Sequence, residues 1–99
     1  MVHHLFLIDL LGDNNIGDNG AKEFSRALLE DAPIEELHLE TNQITDRGAK
    51  SFISPIKKID FEFKLFLGDN DISEDCEGMF FEAKKLKGKS EILFNKIEI

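Results

Sequence analysis

The 99-residue sequence has little of several residue types on which common functions depend. It contains no Trp and no Tyr, only two Pro, and a single Cys, Cys76. One Cys excludes an internal disulfide and a multi-cysteine metal site, and it favours a reducing compartment. The chain is also too short for a large enzyme with a separate cofactor domain, so the sequence predicts a single folded domain.

Basic residues and long apolar runs are scarce as well. Twelve Lys and Arg stand against 20 Asp and Glu, a formal net charge of -8, which argues against nucleic acid as a partner. No stretch reaches the roughly 20 apolar residues needed to span a bilayer. The apolar start of the chain has no basic residue before it and is interrupted by Asp9, which is not typical of a signal peptide. We therefore expect a soluble, cytoplasmic protein with no membrane partner.

The sequence does have an internal repeat, with a period of about 28 residues. Residues 16–24 align with residues 44–52, and six of these nine positions are identical. The pattern Leu-x-Leu-x-x-Asn-x-Ile occurs at residues 37–44 and again at residues 65–72. In the first copy one residue more separates Leu10 from Asn14, so we expect a bulged turn there. A partial fourth copy begins at Ile92.

Each repeat changes its hydrophobic period part-way along. Leu37 and Leu39 alternate with polar neighbours, which predicts a strand with one buried and one wet face. Residues 59–67 alternate in the same way and predict a strand that begins before the usual position. The residues that follow have helical spacing, with expected core positions Ala21, Phe24 and Leu28 in the first copy and Ala49, Phe52 and Ile56 in the second.

The starts and ends of the helices also repeat. Positions 17, 45 and 73 are Gly, Thr and Ser, which are acceptable N-caps, and the acids at 18, 46 and 74 suit the positive end of a helix. Pro33 is expected to end the first helical segment, and Pro55 is expected to shorten the second.

The order Leu-x-x-Leu-x-Leu-x-x-Asn-x-Ile resembles a leucine-rich repeat, and the continuation Ile-Thr-Asp-x-Gly-Ala-Lys looks like the ribonuclease-inhibitor type. The resemblance covers residues 5 to about 83 and is strong over 34–56. The third copy departs from it, with Cys76 and Glu77 in place of Gly48 and Ala49 and with Glu62 in place of Ile34.

This resemblance implies an α/β fold, a short curved solenoid of parallel strand-helix units with about three and a half repeats. The single domain, residues 1–99, divides into repeats at about 5–32, 33–60 and 61–88 and a partial repeat at 89–99. Asn14, Asn42 and Asn70 recur beside buried leucines and need hydrogen-bond partners. The resemblance implies that they form a structural ladder through the turns.

On a solenoid of this kind, function normally lies on the concave sheet face, at the variable positions around the fixed leucines. An acidic centre with apolar neighbours predicts a docking surface for a partly basic, partly apolar protein, whereas a merely solvated sheet face is the plainer interpretation. The expected partner-binding residues are Phe6, Asp9, Glu35, Glu36, His38, Glu40, Lys64 and Phe66, with Leu7 and Leu11 beside them.

Other kinds of site are less well supported. Asp69, Asn70 and Asp71 suggest calcium, but Cys76 then occupies the loop position that requires Gly, and turn and cap chemistry explains these residues better. His3 and His4 with His38 are a weak metal signal. Cys76 lies on the expected helical side and is interpreted as a small core residue. We expect no catalytic residue, metal or cofactor.

The function predicted from the sequence is protein-protein interaction without enzymatic activity. Similar repeats occur in NOD-like receptors, tropomodulins, Ran GTPase-activating proteins and bacterial effectors that act in host cells. A GTPase activator of the Ran type is the alternative, although the chain has only Arg26 and Arg47 as arginines. A further alternative is a fragment of a longer array, because the apolar residues at both ends look uncapped and predict self-association.

Overall fold

The computed structural model of the protein describes the backbone of residues 7–87 and 89–95 and the side chains of residues 11–85 and 89–95. The strands in this part of the chain are β1 (Leu7–Leu10), β2 (Ile34–His38), β3 (Phe63–Phe66) and β4 (Ser90–Leu93). The helices are α1 (Gly17–Leu29), α2 (Asp46–Ala49), a 3₁₀ turn (Lys50–Phe52), α3 (Ile53–Lys58) and α4 (Glu74–Lys87).

The four strands form one parallel sheet in the order β1-β2-β3-β4. Parallel neighbours require a crossover connection, and here helical segments supply each of them. The register repeats along the sheet, because His38 pairs with Phe66 and Phe66 pairs with Leu93. An open parallel sheet with one helical layer confirms the predicted α/β solenoid.

The core lies between the sheet and the helices. Leu37 and Leu39 after α1, and Leu65 and Leu67 after α3, are at most 1% exposed. The expected helical core positions are confirmed, with Phe24 only partly buried. Among the described residues, the largest fully buried side chains are Phe52, Phe63, Phe80, Leu28, Leu37, Leu39, Ile44, Ile56, Leu65, Leu67, Ile92 and Asn42.

The first repeat differs from its predicted frame. Leu11 N donates to the carbonyl of His38 at 3.0 Å, and Leu39 N makes the equivalent bond to β3 at 2.9 Å. Leu11 is therefore the counterpart of Leu39, and the turn after it carries no extra residue. The expected bulged turn is wrong, because the irregularity lies earlier, in the strand pairing between Leu7 and Ile8.

The third strand is shorter than its alternating sequence predicted. The helix α3 ends at Lys58, with Ile59 as its extended C-cap residue, and the regular strand covers only Phe63–Phe66. Ile59 is nevertheless buried, and Phe61 packs partly against the core. The alternating apolar residues before Phe63 therefore lie in a loop and point into the core. Periodicity alone does not distinguish such a loop from a strand.

The sequence predicted that Pro55 would shorten the second helical segment, and this prediction is wrong. Helical backbone continues to Lys58, and the disturbance is the 3₁₀ turn Lys50–Phe52 that precedes α3. Pro55 has no N–H, and its ring would collide with the carbonyl four residues earlier in a regular α-helix. A tighter turn before the proline accommodates both constraints.

The predicted helix caps are confirmed in two of three repeats. Thr45 Oγ1 accepts from Arg47 N at 3.3 Å, and Ser73 Oγ accepts from Cys76 N at 3.2 Å. Gly17 is instead the first residue of α1. Its φ of +67° suits glycine, and its N–H donates to Asn42 O at 2.8 Å. Gly17 thus redirects the chain into the helix and does not cap it.

Candidate functional site

The face of the sheet opposite the helices carries the candidate site, and we call it the open face. Its described side chains alternate with buried ones along each strand, as the period of two requires. The strand register places them in rows that cross the sheet. The open face is defined by Glu36, His38, Glu40, Lys64, Phe66, Glu91 and Leu93.

His38 lies between two carboxylates, that of Glu36 in β2 and that of Glu40 just after the strand ends. Its Nε2 is 3.1 Å from Glu36 Oε1, and its Nδ1 is 3.3 Å from Glu40 Oε2. This arrangement follows from the sequence, because side chains two residues apart on a strand share a face. Glu36 and Glu40 therefore form a bracket of two carboxylates around the imidazole ring.

An aromatic stack joins the second and third strands. The rings of His38 and Phe66 are 4.0 Å apart between centroids and lie within 9° of parallel. Their strands pair at these two residues, so the spacing of neighbouring strands sets the ring separation. Leu93 continues the row on β4. The centre of the open face is thus a half-buried platform of aromatic and aliphatic side chains.

Glu40 occupies an unusual place beside this platform. The equivalent positions in the repeats before and after it are Gly12 and Gly68, which have no side chains. Oε1 of Glu40 lies above Gly12, 3.6 Å from where a Cβ would stand, and has no hydrogen-bond partner among the described residues. One Glu40 oxygen thus meets His38, and the other remains unpaired.

The structure brings together five of the eight predicted binding residues, namely Glu36, His38, Glu40, Lys64 and Phe66. Glu35 is exposed but lies at the irregular step of the strand pairing, outside these rows. Phe6 lies outside the described residues.

Two predicted positions of the first repeat change with its register. Asp9 pairs with Leu37, so its backbone takes a position equivalent to a buried leucine, and its side chain is outside the described part of the chain. Leu11, expected beside the site, packs partly against the core.

Sequence reasoning missed Glu91 and Leu93. Both are half-buried members of the open face. Lys64 pairs with Glu91, and Phe66 pairs with Leu93. The partial fourth copy was the signal that could have found them, because a strand there must present alternate residues on the same face.

The turns after the strands are joined by asparagine side chains. Oδ1 of Asn42 accepts from Asn14 N at 3.0 Å and from Ile16 N at 3.3 Å. Its Nδ2 donates to Leu11 O at 2.8 Å and to Glu40 O at 3.0 Å. Asn42 is fully buried, so these four bonds satisfy an amide that would otherwise be costly.

Asn70 makes the same contacts one repeat later. Its Oδ1 accepts from Asn42 N at 2.9 Å and from Ile44 N at 3.0 Å. Its Nδ2 donates to Leu39 O at 2.9 Å and to Leu67 O at 3.0 Å. Asn95 then accepts from Asp69 N. Asn42, Asn70 and Asn95 therefore each link their own turn to the turn of the preceding repeat. Among the described residues, the side chain of Asn14 bonds only to Leu11 O and Gly12 O of its own turn.

Comparison with known protein families agrees with this geometry. Residues 11–25 and 32–52 match the family described as Leucine Rich repeat. The chain contains leucine-rich repeats. The two matched stretches contain the turn and helix of the first repeat and the strand and helix start of the second. No curated protein gives a match to the chain. Leucine-rich repeats generally mediate protein-protein interaction and are typically binding modules without catalytic activity.

A second set of contacts joins the helices of successive leucine-rich repeats. Asp18 Oδ1 accepts from Thr45 N at 2.7 Å and from Gly48 N at 3.1 Å, and its Oδ2 accepts from Thr45 Oγ1 at 2.7 Å. Asp46 accepts from Ser73 N at 2.7 Å and from Ser73 Oγ at 2.5 Å. Both acids stand in the first turn of their own helices, as expected, and their carboxylates also bond to the start of the helix in the next repeat.

These bonds change the acidity of both carboxyl groups. Desolvation opposes ionisation of Asp18 most strongly, but the bonds from Thr45 and Gly48 and the charge of Arg47 outweigh it and lower its pKa. The bonds from Ser73 lower the pKa of Asp46, against a smaller effect of desolvation. Both aspartates therefore favour the charged form in the folded chain.

Cys76 occupies the third-repeat position of Gly48. Its side chain is buried in the core, which confirms the interpretation drawn from the sequence. Desolvation, together with the nearby charge of Asp46, raises the pKa of the thiol to about 11. A protonated, enclosed thiol is a poor nucleophile.

The described residues contain neither a group of side chains suited to a metal ion nor a helix suited to span a membrane. No group of three His, Cys, Asp or Glu side chains there could hold a metal ion. None of the described helices has both the length and the apolar character that crossing a membrane requires.

Proposed function

We propose that this chain is a protein-interaction module that binds its partner on the open face. The observation that carries the proposal is the His38–Phe66 stack, a preformed platform of two rings that faces away from the helices. Aromatic side chains with charged neighbours are enriched at the centres of protein interfaces.

The charges around the platform support the same proposal. Lys64 is exposed and Glu91 is half-buried, and neither makes a hydrogen bond or ion pair to another side chain in the described part of the chain. Among the described residues, the side-chain carboxylates of Glu36 and Glu40 make ion pairs or hydrogen bonds only with His38. These groups contribute little to the fold, which leaves them available to a partner.

We also infer that the repeats are of the ribonuclease-inhibitor-like type. The supporting observations are the 28-residue offset of the bonds between Asn14, Asn42 and Asn70 and the alternation of a short strand with helical backbone. Members of that type bind proteins across several strands, which the row His38, Phe66 and Leu93 would allow.

Site-specific photocrosslinking tests the proposed face. A photoreactive phenylalanine analogue replaces Lys64 on the open face in one variant and Glu30 at the end of α1 in a second. Both positions are exposed, so both variants should fold. We expect the Lys64 variant to capture a defined protein in native extract and the Glu30 variant not to capture it. Capture of the same protein at both positions, or at Glu30 alone, would contradict the proposal.

A further inference from the structure

We infer that the partner presents a lysine or arginine side chain, flanked by apolar residues, and that its cationic group binds between Glu36 and Glu40. This inference rests on the proposed function and specifies the chemistry of the partner. Its basis is the bracket described above, in which the His38 ring already stands between the two carboxylates.

The bracket can accept more donors than His38 supplies. Each carboxylate has two oxygens, and the imidazole contacts one of each. Oε1 of Glu40 has no partner in the described part of the chain, and it is enclosed over Gly12. A guanidinium or ammonium group brings several donors, whereas the imidazole brings at most two. A partner's cation therefore meets the accessible parts of Glu36 and Glu40, whose side chains are 25% and 38% exposed.

Charge complementarity favours a basic partner over the others that an open sheet face could bind. Among the described residues, three of the four charged side chains on the open face are carboxylates, Glu36, Glu40 and Glu91, against one amine, Lys64. The whole chain carries a net charge of -8, which would steer a basic segment toward it and repel an acidic one.

The apolar part of the partner follows from the neighbouring row. Phe66 and Leu93 lie beside the bracket on the next two strands.

Peptide selection tests this inference. A random dodecapeptide library is displayed on phage and selected against the full chain, and the enriched peptides are measured by fluorescence anisotropy. We expect Lys or Arg next to apolar residues in the enriched sequences. Glu36→Gln with Glu40→Gln keeps the shape of both side chains and should weaken binding about tenfold. Glu23→Gln with Glu30→Gln removes the same charge from the helical side and should leave binding nearly unchanged.

The substitution His38→Phe distinguishes the contribution of the two carboxylates from that of the imidazole. Phenylalanine keeps a ring against Phe66 but releases Glu36 and Glu40, so a basic peptide should bind at least as tightly as to the original chain. Peptides without Lys or Arg, or equal losses in the two Gln pairs, would overturn the inference. If the selected peptides lost affinity with Phe66→Ser yet carried no basic residue, binding on the open face would be supported. Only the inference that the partner presents a basic side chain would then be wrong.

Discussion

Asp18 in the first repeat caps the helix that Thr45 begins in the second. Both oxygens of its carboxylate take part, and the two bonds to Thr45 are each 2.7 Å. Asp46 and Ser73 repeat the arrangement. Each helix start is thus held by the previous repeat, so the stability of one repeat depends on its neighbour.

Replacing Asp18 should lower stability through the loss of this cap. Asp18→Ala removes the acceptors for Thr45 and Gly48, and cap losses cost about 0.5 to 2 kcal/mol. Urea denaturation of the full chain measures the change. Asn19→Ala is the control, because Asn19 is exposed and adjacent. Equal midpoints for the original chain and Asp18→Ala would show that the inter-repeat cap does not stabilise the fold.

The lowered pKa values of Asp18 and Asp46 predict an acid dependence. The unfolded chain takes up these protons near the usual aspartate pKa of about 3.9, before the folded chain does. The stabilisation is therefore complete above that range and is lost as the pH falls through the folded values. As the pH is lowered from neutral to about pH 3, the urea midpoint of the double variant Asp18→Asn with Asp46→Asn should fall less steeply than that of the original chain. A parallel fall in both proteins would exclude these carboxylates as the cause.

Asn42 is expected to be the most sensitive position of the turn ladder. Asn42→Leu leaves the backbone N–H groups of Asn14 and Ile16 unpaired, which should cost about 1 to 3 kcal/mol, and Asn42→Asp loses the donor side of the amide. Asn14→Leu is the matched control at the exposed end of the ladder and should cost less. Denaturation midpoints rank the variants, and a larger loss at Asn14 would contradict the role assigned to burial.

Gly48 and Gly78 offer a matched pair of glycine substitutions. A Cβ on Gly48 would stand 2.8 Å from Asp18 Cα, a backbone atom that cannot easily move. Gly48→Ala should therefore destabilise the chain by about 1 to 3 kcal/mol. Gly78 lies within α4 with open space around it, so Gly78→Ala should stabilise by about 0.5 to 1 kcal/mol. Thermal melts of the two variants should move in opposite directions.

The thiol of Cys76 should react slowly in the folded chain. Burial and the raised pKa, about 11, leave little accessible thiolate at pH 8. Iodoacetamide labelling followed by mass spectrometry should show slow modification in buffer and rapid modification in urea. Rapid labelling without denaturant would mean that α4 opens readily around this residue.

Much of the open face followed from the sequence. The alternation of Leu37 and Leu39 with Glu36, His38 and Glu40 is sufficient to place three side chains on one face, because a strand has a period of two. The constant spacing of the repeats likewise brings Phe66 beside His38, its counterpart one repeat earlier. Such features depend on local geometry that every copy repeats, so pattern and spacing determine them.

Only the tertiary structure decided the features that depend on contacts between repeats. In the strand register, Asp9 lies opposite Leu37. The alignment of leucines in the sequence did not predict this pairing, because the register is set by backbone hydrogen bonds such as that from Leu11 N to His38 O. Asp18 resembles a residue that serves its own helix, yet its carboxylate binds Thr45 of the next one. The spacing of residues in the sequence predicts the strand and the helix within each repeat. A hydrogen bond between two repeats also depends on the distance between its donor and acceptor, which only the packing of the repeats determines.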